Sequence, residues 1–100
     1  MSWIVHKFGG SSVADAACFR RVLDILATKA PAPSALIVYA CRGVTDDLYG
    51  LVALAEKRGD VEPALAALRM RHAAIANEIL SAEAAREYLA AYDADLADIR

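Results

Sequence analysis

Apolar and polar positions along the chain change period several times, and each change marks an element. Trp3, Ile4, Val5 and Phe8 are β-forming residue types, and they predict a buried strand over residues 2–8. In an extended segment Trp3, Val5 and Lys7 share one face, while Ile4, His6 and Phe8 share the other. Gly9 and Gly10 end that run. Phe19, Val22, Leu23 and Leu26 then recur at helical spacing, predicting a helix from Val13 to about Lys29. Ser12 is the expected N-cap, with Asp15 three residues on in the Ser-x-x-Asp capping pattern. Pro31 and Pro33 stop the helix. Residues 35–41 form a near-continuous apolar run whose length and β-branched content predict a second buried strand. Strand, helix and strand with short connections make a βαβ unit, so the strands are expected to be parallel and the crossover right-handed.

Beyond Gly43 every pattern is helical. Thr45 or Asp46 can cap a helix reaching to about Lys57, with Leu48, Leu51, Val52 and Leu54 expected inward. Gly59 and Asp60 form the next turn. Asp60 caps a third helix that tolerates Pro63 in its first turn and turns Leu65, Leu68, Ile75 and Ile79 inward. Ser81 caps a fourth, with Leu89, Tyr92, Leu96 and Ile99 at helical spacing. The third and fourth helices read as an antiparallel hairpin closed by a tight turn. The expected organisation is a βαβα part over 1–59 followed by a helical hairpin over 60–100. The last pattern runs to Arg100 without the glycine or proline that usually stops a helix, which predicts a longer natural chain.

Composition narrows the class. At 58% hydrophobic, the 100 residues can form a core as one small domain or part of a larger one. A net charge of −2 gives no electrostatic case for nucleic acid. No apolar stretch approaches membrane-spanning length, and no basic region followed by an apolar run opens the chain. Cys18 and Cys41 are too few for a disulfide framework, and no Cys-x-x-Cys occurs, so reduced thiols in a cytoplasmic protein are expected. His6 and His72 have no cysteine or histidine at ligand spacing and read as structural or exposed rather than catalytic. Asp46 and Asp47 read as ordinary first-turn acids; no metal ligands are assigned.

The chemistry concentrates where the first strand meets its helix. Lys7 puts a cation at the strand's end, Gly9 and Gly10 allow close backbone approach, Ser11 and Ser12 add hydroxyls, and the first amides of a helix point outward with the macrodipole favouring negative charge. Phosphate is the natural occupant of such a place. The lysine precedes the glycines, so this is not a Walker A loop, and the dinucleotide Gly-x-Gly-x-x-Gly is absent. A second turn, 41–45, leaves the end of the second strand, where ligands gather in open α/β sheets. The Thr45 hydroxyl there suits a substrate carboxylate or a helix cap.

Lys7-Phe8-Gly9-Gly10-Ser11-Ser12-Val13 resembles the N-terminal signature of aspartate kinases, members of the amino-acid kinase superfamily. Ala40-Cys41-Arg42-Gly43-Val44-Thr45-Asp46 resembles that family's Ser-Ala-x-x-Gly-x-Thr-Asn/Asp segment, in the expected order and separation. The resemblance implies a three-layer α/β/α sandwich around a mostly parallel sheet, of which residues 1–100 are the opening part. It implies ATP-dependent phosphorylation of L-aspartate to 4-phospho-L-aspartate in lysine, threonine and methionine biosynthesis, with magnesium arriving on the nucleotide. It makes Lys7 the catalytic cation, sets Lys7, Gly9, Gly10, Ser11 and Ser12 beside the phosphates, and gives Thr45 the amino-acid substrate. The family usually has a substrate-holding serine where this chain has Tyr39, a bulkier phenol, so Tyr39 is a substrate candidate that departs from the pattern. The family also implies a homo-oligomer at full length and occurs fused to homoserine dehydrogenase or diaminopimelate decarboxylase. Residues 1–100 alone are expected to be inactive, because the rest of the site lies later in such chains. Two alternatives stand beside this reading: a superfamily kinase acting on glutamate, acetylglutamate, carbamate or a nucleotide, and a non-catalytic helical interaction module built on 60–100.

Overall fold

Strands β1 (Ile4–Phe8) and β2 (Ser34–Val38) pair in parallel, with Ile4 opposite Ser34, Lys7 opposite Ile37 and Phe8 opposite Val38. The computed structural model describes residues 3–28 and 33–99; Ser2, Lys29, Pro31 and Arg100 lie outside them. Helix α1 (Ala16–Ala27) connects the strands, and α2 (Val44–Glu56), α3 (Glu62–Ile79) and α4 (Ala82–Ile99) follow. The chain is of the α/β class expected, and its described residues fall into two compact units divided between Thr45 and Asp46.

In the first unit the ladder is extended at both ends. The Ile4 amide donates to the Pro33 carbonyl at 2.9 Å, and the Tyr39 amide donates to the Phe8 carbonyl at 3.2 Å. The expectation of buried strands is not met. Val5 is 61% exposed, Leu36 50%, Ile37 48% and Val38 52%, and only His6, Phe8 and Ala35 are half-covered. The reason is geometric: apolar runs of this kind are buried when layers lie on both faces of a parallel sheet, whereas the described sheet has two strands. Burial in this unit centres on Val13, Ala16, Val22 and Val44.

The helix after the glycines also starts later than the sequence predicts. Residues Gly10–Val13 form a single 3-10 turn, and α1 begins at Ala16. Asp15, not Ser12, is the N-cap: its carboxylate accepts the Cys18 amide at 2.9 Å. That amide holds the Asp15 carboxyl below its ordinary range. The cap's contribution is therefore present at neutral pH and is lost only as pH falls through the lowered value. Two capping-type residues lie within one turn of each other here, and the glycines favour a tight turn before the regular helix.

The second unit holds most of α2 together with α3 and α4, and its packing is chiefly of α3 against α4. Leu65, Leu68, Ile75, Ala76, Ala85 and Leu96 are its buried residues. α3 and α4 run antiparallel, as Arg69 donates from Nε and Nη2 to the two carboxylate oxygens of Asp93 while His72 meets the Tyr92 ring at 5.4 Å. His72 Nδ1 also donates to the Leu68 carbonyl at 2.8 Å, which makes this histidine structural. Asp60 accepts the Glu62 amide at 3.1 Å, Pro63 sits in the first turn of α3, and the Ser81 hydroxyl accepts the Ala84 amide at 3.1 Å. The Ser81 cap stands where the sequence puts it; the N-cap position of α3 is Val61, one residue past Asp60, whose carboxylate still reaches the helix's first amide. Thr45 and Asp46 do not cap α2, because the helix already starts at Val44. Leu48 and Val52 were expected inward and are 47% and 57% exposed.

The end of α2 contains a strained residue. The Gly59 amide donates to the Leu54 carbonyl and the Arg58 amide to Ala55, both at 2.9 Å, which is the paired bonding of a Schellman stop. It forces Arg58 to φ 55°, a left-handed conformation usually filled by glycine. Arg58→Gly is expected to raise unfolding stability by about 0.5–1 kcal/mol, the relief of the Cβ clash less the added freedom of the unfolded chain. Urea denaturation checks it.

Candidate functional site

Both candidate turns leave the carboxyl ends of adjacent parallel strands. Lys7 is the penultimate residue of β1 and is exposed. Its Nζ lies 5.1 Å from the centroid of the Tyr39 ring, within cation–π reach. The contact follows from register. Lys7 is opposite Ile37, and Tyr39, two residues further, shares that face of the sheet.

Gly9 and Gly10 play different parts. Gly9 has φ −75° and ψ 175°, an ordinary extended conformation, and a Cβ built on it meets nothing within 4 Å. Neither backbone geometry nor protein packing requires glycine there, and the space beside it is open to a ligand. A Cβ on Gly10 would lie 3.0 Å from the Ala40 carbonyl oxygen and 3.4 Å from the Arg42 Cα. Gly10 is thus the point where the first turn meets the second, backbone against backbone. Gly43 completes the second turn at φ 84°, a conformation that favours glycine.

The amides of this turn are partly committed. Ser12 donates to the Gly9 carbonyl at 3.0 Å. The Gly10 and Ser11 amides, at the head of the 3-10 turn, donate to no protein atom among the described residues. The anion-binding expectation is therefore corrected in one respect: the start of α1 is occupied by the Asp15 carboxylate, so its dipole is already answered, and the donors left over are those of the preceding turn. Successive free amides in a turn suit an anion without a long helix behind them.

Each predicted residue has a definite place. Lys7 and Tyr39 are brought together; Gly9, Gly10 and Ser11 form the turn beside them; Ser12 is half-buried and its amide closes the turn. Thr45 is exposed in the first turn of α2, and its hydroxyl makes no hydrogen bond among the described residues. Arg42 is exposed while its backbone backs Gly10. Cys41 is half-buried and unpaired. Sequence reasoning missed the Lys7–Tyr39 contact, because only the strand register sets those two side chains on one face. Among the described residues no group of three or more His, Cys, Asp or Glu could hold a metal ion, and no helix is long and apolar enough to cross a membrane.

A cation, open glycine backbone and uncommitted amides at the head of a parallel βαβ unit are the features the comparisons with known proteins bear on. Over 100 residues, 99% of this chain, the sequence is 30% identical to the chloroplastic bifunctional aspartokinase/homoserine dehydrogenase 1 of Arabidopsis thaliana, covering 11% of that protein. It is 31% identical over 93 residues, 92% of the chain, to bifunctional aspartokinase/homoserine dehydrogenase 2 of Escherichia coli (strain K12), covering 12% of it. Identity rises to 47% over 53 residues, 51% of the chain, against the aspartokinase of Mycobacterium tuberculosis (strain CDC 1551 / Oshkosh), covering 13% of that protein. The chain therefore spans only a small part of the length of these relatives. No solved structure gives a significant match. The family described as "Amino acid kinase family" matches residues 2–100, and with the Lys7 and Gly9-Gly10 turn placed at the strand ends, this chain belongs to the amino acid kinase family.

Proposed function

We propose that residues 1–100 are the N-terminal portion of the kinase domain of an aspartate kinase, and that the full-length protein transfers the γ-phosphoryl group of ATP to the side-chain carboxylate of L-aspartate. The observation that carries this reading is the open Gly9 backbone beside the free Gly10 and Ser11 amides and the exposed Lys7 ammonium. These groups suit a polyphosphate: positive charge, N–H donors, and a surface without side chains in the way. The similarity to bifunctional aspartokinase/homoserine dehydrogenases over nearly the whole chain supports aspartate as the acceptor.

In the proposed reaction an aspartate carboxylate oxygen attacks the γ-phosphorus, the bond to the β–γ bridging oxygen breaks, and 4-phospho-L-aspartate and ADP result. The nucleophile is already anionic, so no strong general base is needed. The difficulty is repulsion between two anions, and positioning with charge neutralisation is what phosphoryl transfer asks of a protein. Lys7 is the catalytic cation in this reading. Gly9, Gly10, Ser11 and Ser12 hold the phosphates and Thr45 contacts the amino acid. Magnesium comes with ATP and neutralises phosphate oxygens. The resemblance extends the proposal to the biosynthesis of lysine, threonine and methionine, a three-layer sandwich, a cytoplasmic location and a homo-oligomeric full-length enzyme.

Purified full-length protein incubated with magnesium–ATP and a panel of acceptors tests it. ADP release dependent on L-aspartate, and absent with glutamate, acetylglutamate or carbamate, is the expected result. Release with one of the other acceptors instead would move the protein elsewhere in the family.

A further inference from the structure

Resting on the kinase reading above, we infer that Tyr39 is a positioning residue: its ring face holds the Lys7 ammonium at the mouth of the glycine turn, ready for the nucleotide phosphates. The base of the ring is fixed by the backbone, because the Tyr39 amide donates to the Phe8 carbonyl at 3.2 Å and carries the ladder one step past β2. The register sets Lys7 opposite Ile37, so the Tyr39 ring stands diagonally next to Lys7 on the same face, with Nζ 5.1 Å from its centroid. Among the described residues no carboxylate pairs with Lys7. A lysine on a flexible four-carbon stem, the fourth residue of an exposed strand, would otherwise sample many rotamers, and fixing it on ligand binding would weaken affinity.

An aromatic face suits this task better than an acid. It attracts the ammonium through its quadrupole, yet it neither neutralises the charge nor occupies all three N–H donors. The amine is confined and remains available to phosphate oxygens. The phenol hydroxyl has no part in the contact, so phenylalanine should serve equally and an aliphatic residue should not. Tyr39 is 54% exposed, so replacing it removes little packing.

The test uses full-length protein whose lysine amines carry 13C-methyl groups introduced by reductive methylation, a change that keeps the charge. The Lys7 signal, assigned by its loss in Lys7→Ala, is expected to be shifted upfield by the ring in nucleotide-free wild type and in Tyr39→Phe, and to return to the ordinary lysine position in Tyr39→Leu. In unmodified protein, the dissociation constant for magnesium with a non-hydrolysable ATP analogue should rise roughly two- to five-fold in Tyr39→Leu, the worth of an exposed cation–π contact, and stay unchanged in Tyr39→Phe. A Lys7 signal with no upfield shift, or one indifferent to Tyr39→Leu, overturns the contact. A shift that depends on Tyr39 while analogue affinity is equal in all three proteins overturns the positioning role. Failure of every form to bind the analogue, with the shift intact, overturns the kinase reading itself and this role with it.

Discussion

Lys7→Ala in the full-length protein is expected to lower turnover by about 10²–10³-fold, the scale seen when one preorganised group facing developing charge is removed, with no change in the midpoint of urea unfolding. The two halves of this expectation rest on different observations. Lys7 is exposed and its described contact is the face of Tyr39, and a solvated cation contributes little to folding. If phosphates come to the Gly9–Ser11 turn, however, the ammonium is a charge at the same strand end that can offset the repulsion between two anionic reactants. Lys7→Arg should recover only part of the rate, because a planar guanidinium on a different stem does not reproduce a compact ammonium. Steady-state kinetics and urea melts on the same preparations separate the cases. Unchanged turnover removes Lys7 from the chemistry, and a parallel drop in stability makes it a structural residue.

The elements of this chain were legible where local chemistry is strong. The Ser81 cap and the antiparallel hairpin follow from residue types and helical spacing alone, and the structure has them where the pattern puts them, while Asp60 bonds the first amide of α3 from one residue before its N-cap Val61. The parallel pairing of β1 and β2 followed from a short strand–helix–strand alternation. What was not legible depends on neighbours. The apolar runs over 4–8 and 34–38 predict burial only if something lies on both faces of the sheet, and the sequence of a strand does not contain its covering layer. The start of α1 was misplaced by about a turn, since Ser12 and Asp15 are both good caps and only the folded turn decides between them. Leu48 and Val52 fit an inward stripe on α2 but lie on its open side. At the candidate site, the glycines and the lysine were readable as a string, whereas the different roles of Gly9 and Gly10, and the use of Tyr39 by Lys7, are consequences of register and close approach.

Alanine at Gly9 and alanine at Gly10 are expected to fail in opposite ways, and the contrast is the sharpest test of where the phosphates go. At Gly10 the new methyl would sit 3.0 Å from the Ala40 carbonyl oxygen and 3.4 Å from the Arg42 Cα. Both are backbone atoms that cannot swing aside as a side-chain end can. Crowding of this kind costs about 1–3 kcal/mol, and relief requires the 40–42 segment to move, taking Arg42 and the nearby Thr45 with it. Gly10→Ala should therefore lose stability and weaken the use of both ATP and the amino acid. At Gly9 the backbone is already in a conformation alanine adopts freely, with nothing within 4 Å of the added carbon. Folding stability should hold or rise by about 0.4–1 kcal/mol, because alanine restricts the unfolded chain. Nucleotide affinity should nonetheless fall, on the order of tenfold or more, since the methyl projects into the space a phosphate must enter and misplacement by about 1 Å is enough for large rate losses. Binding of magnesium with a non-hydrolysable ATP analogue, measured beside urea denaturation for both variants, reads the pattern directly. A Gly9→Ala protein that binds the analogue as tightly as wild type would mean that the phosphates do not approach this backbone. Such a result would leave the glycine without a physical reason, since neither its dihedral angles nor its protein neighbours demand one.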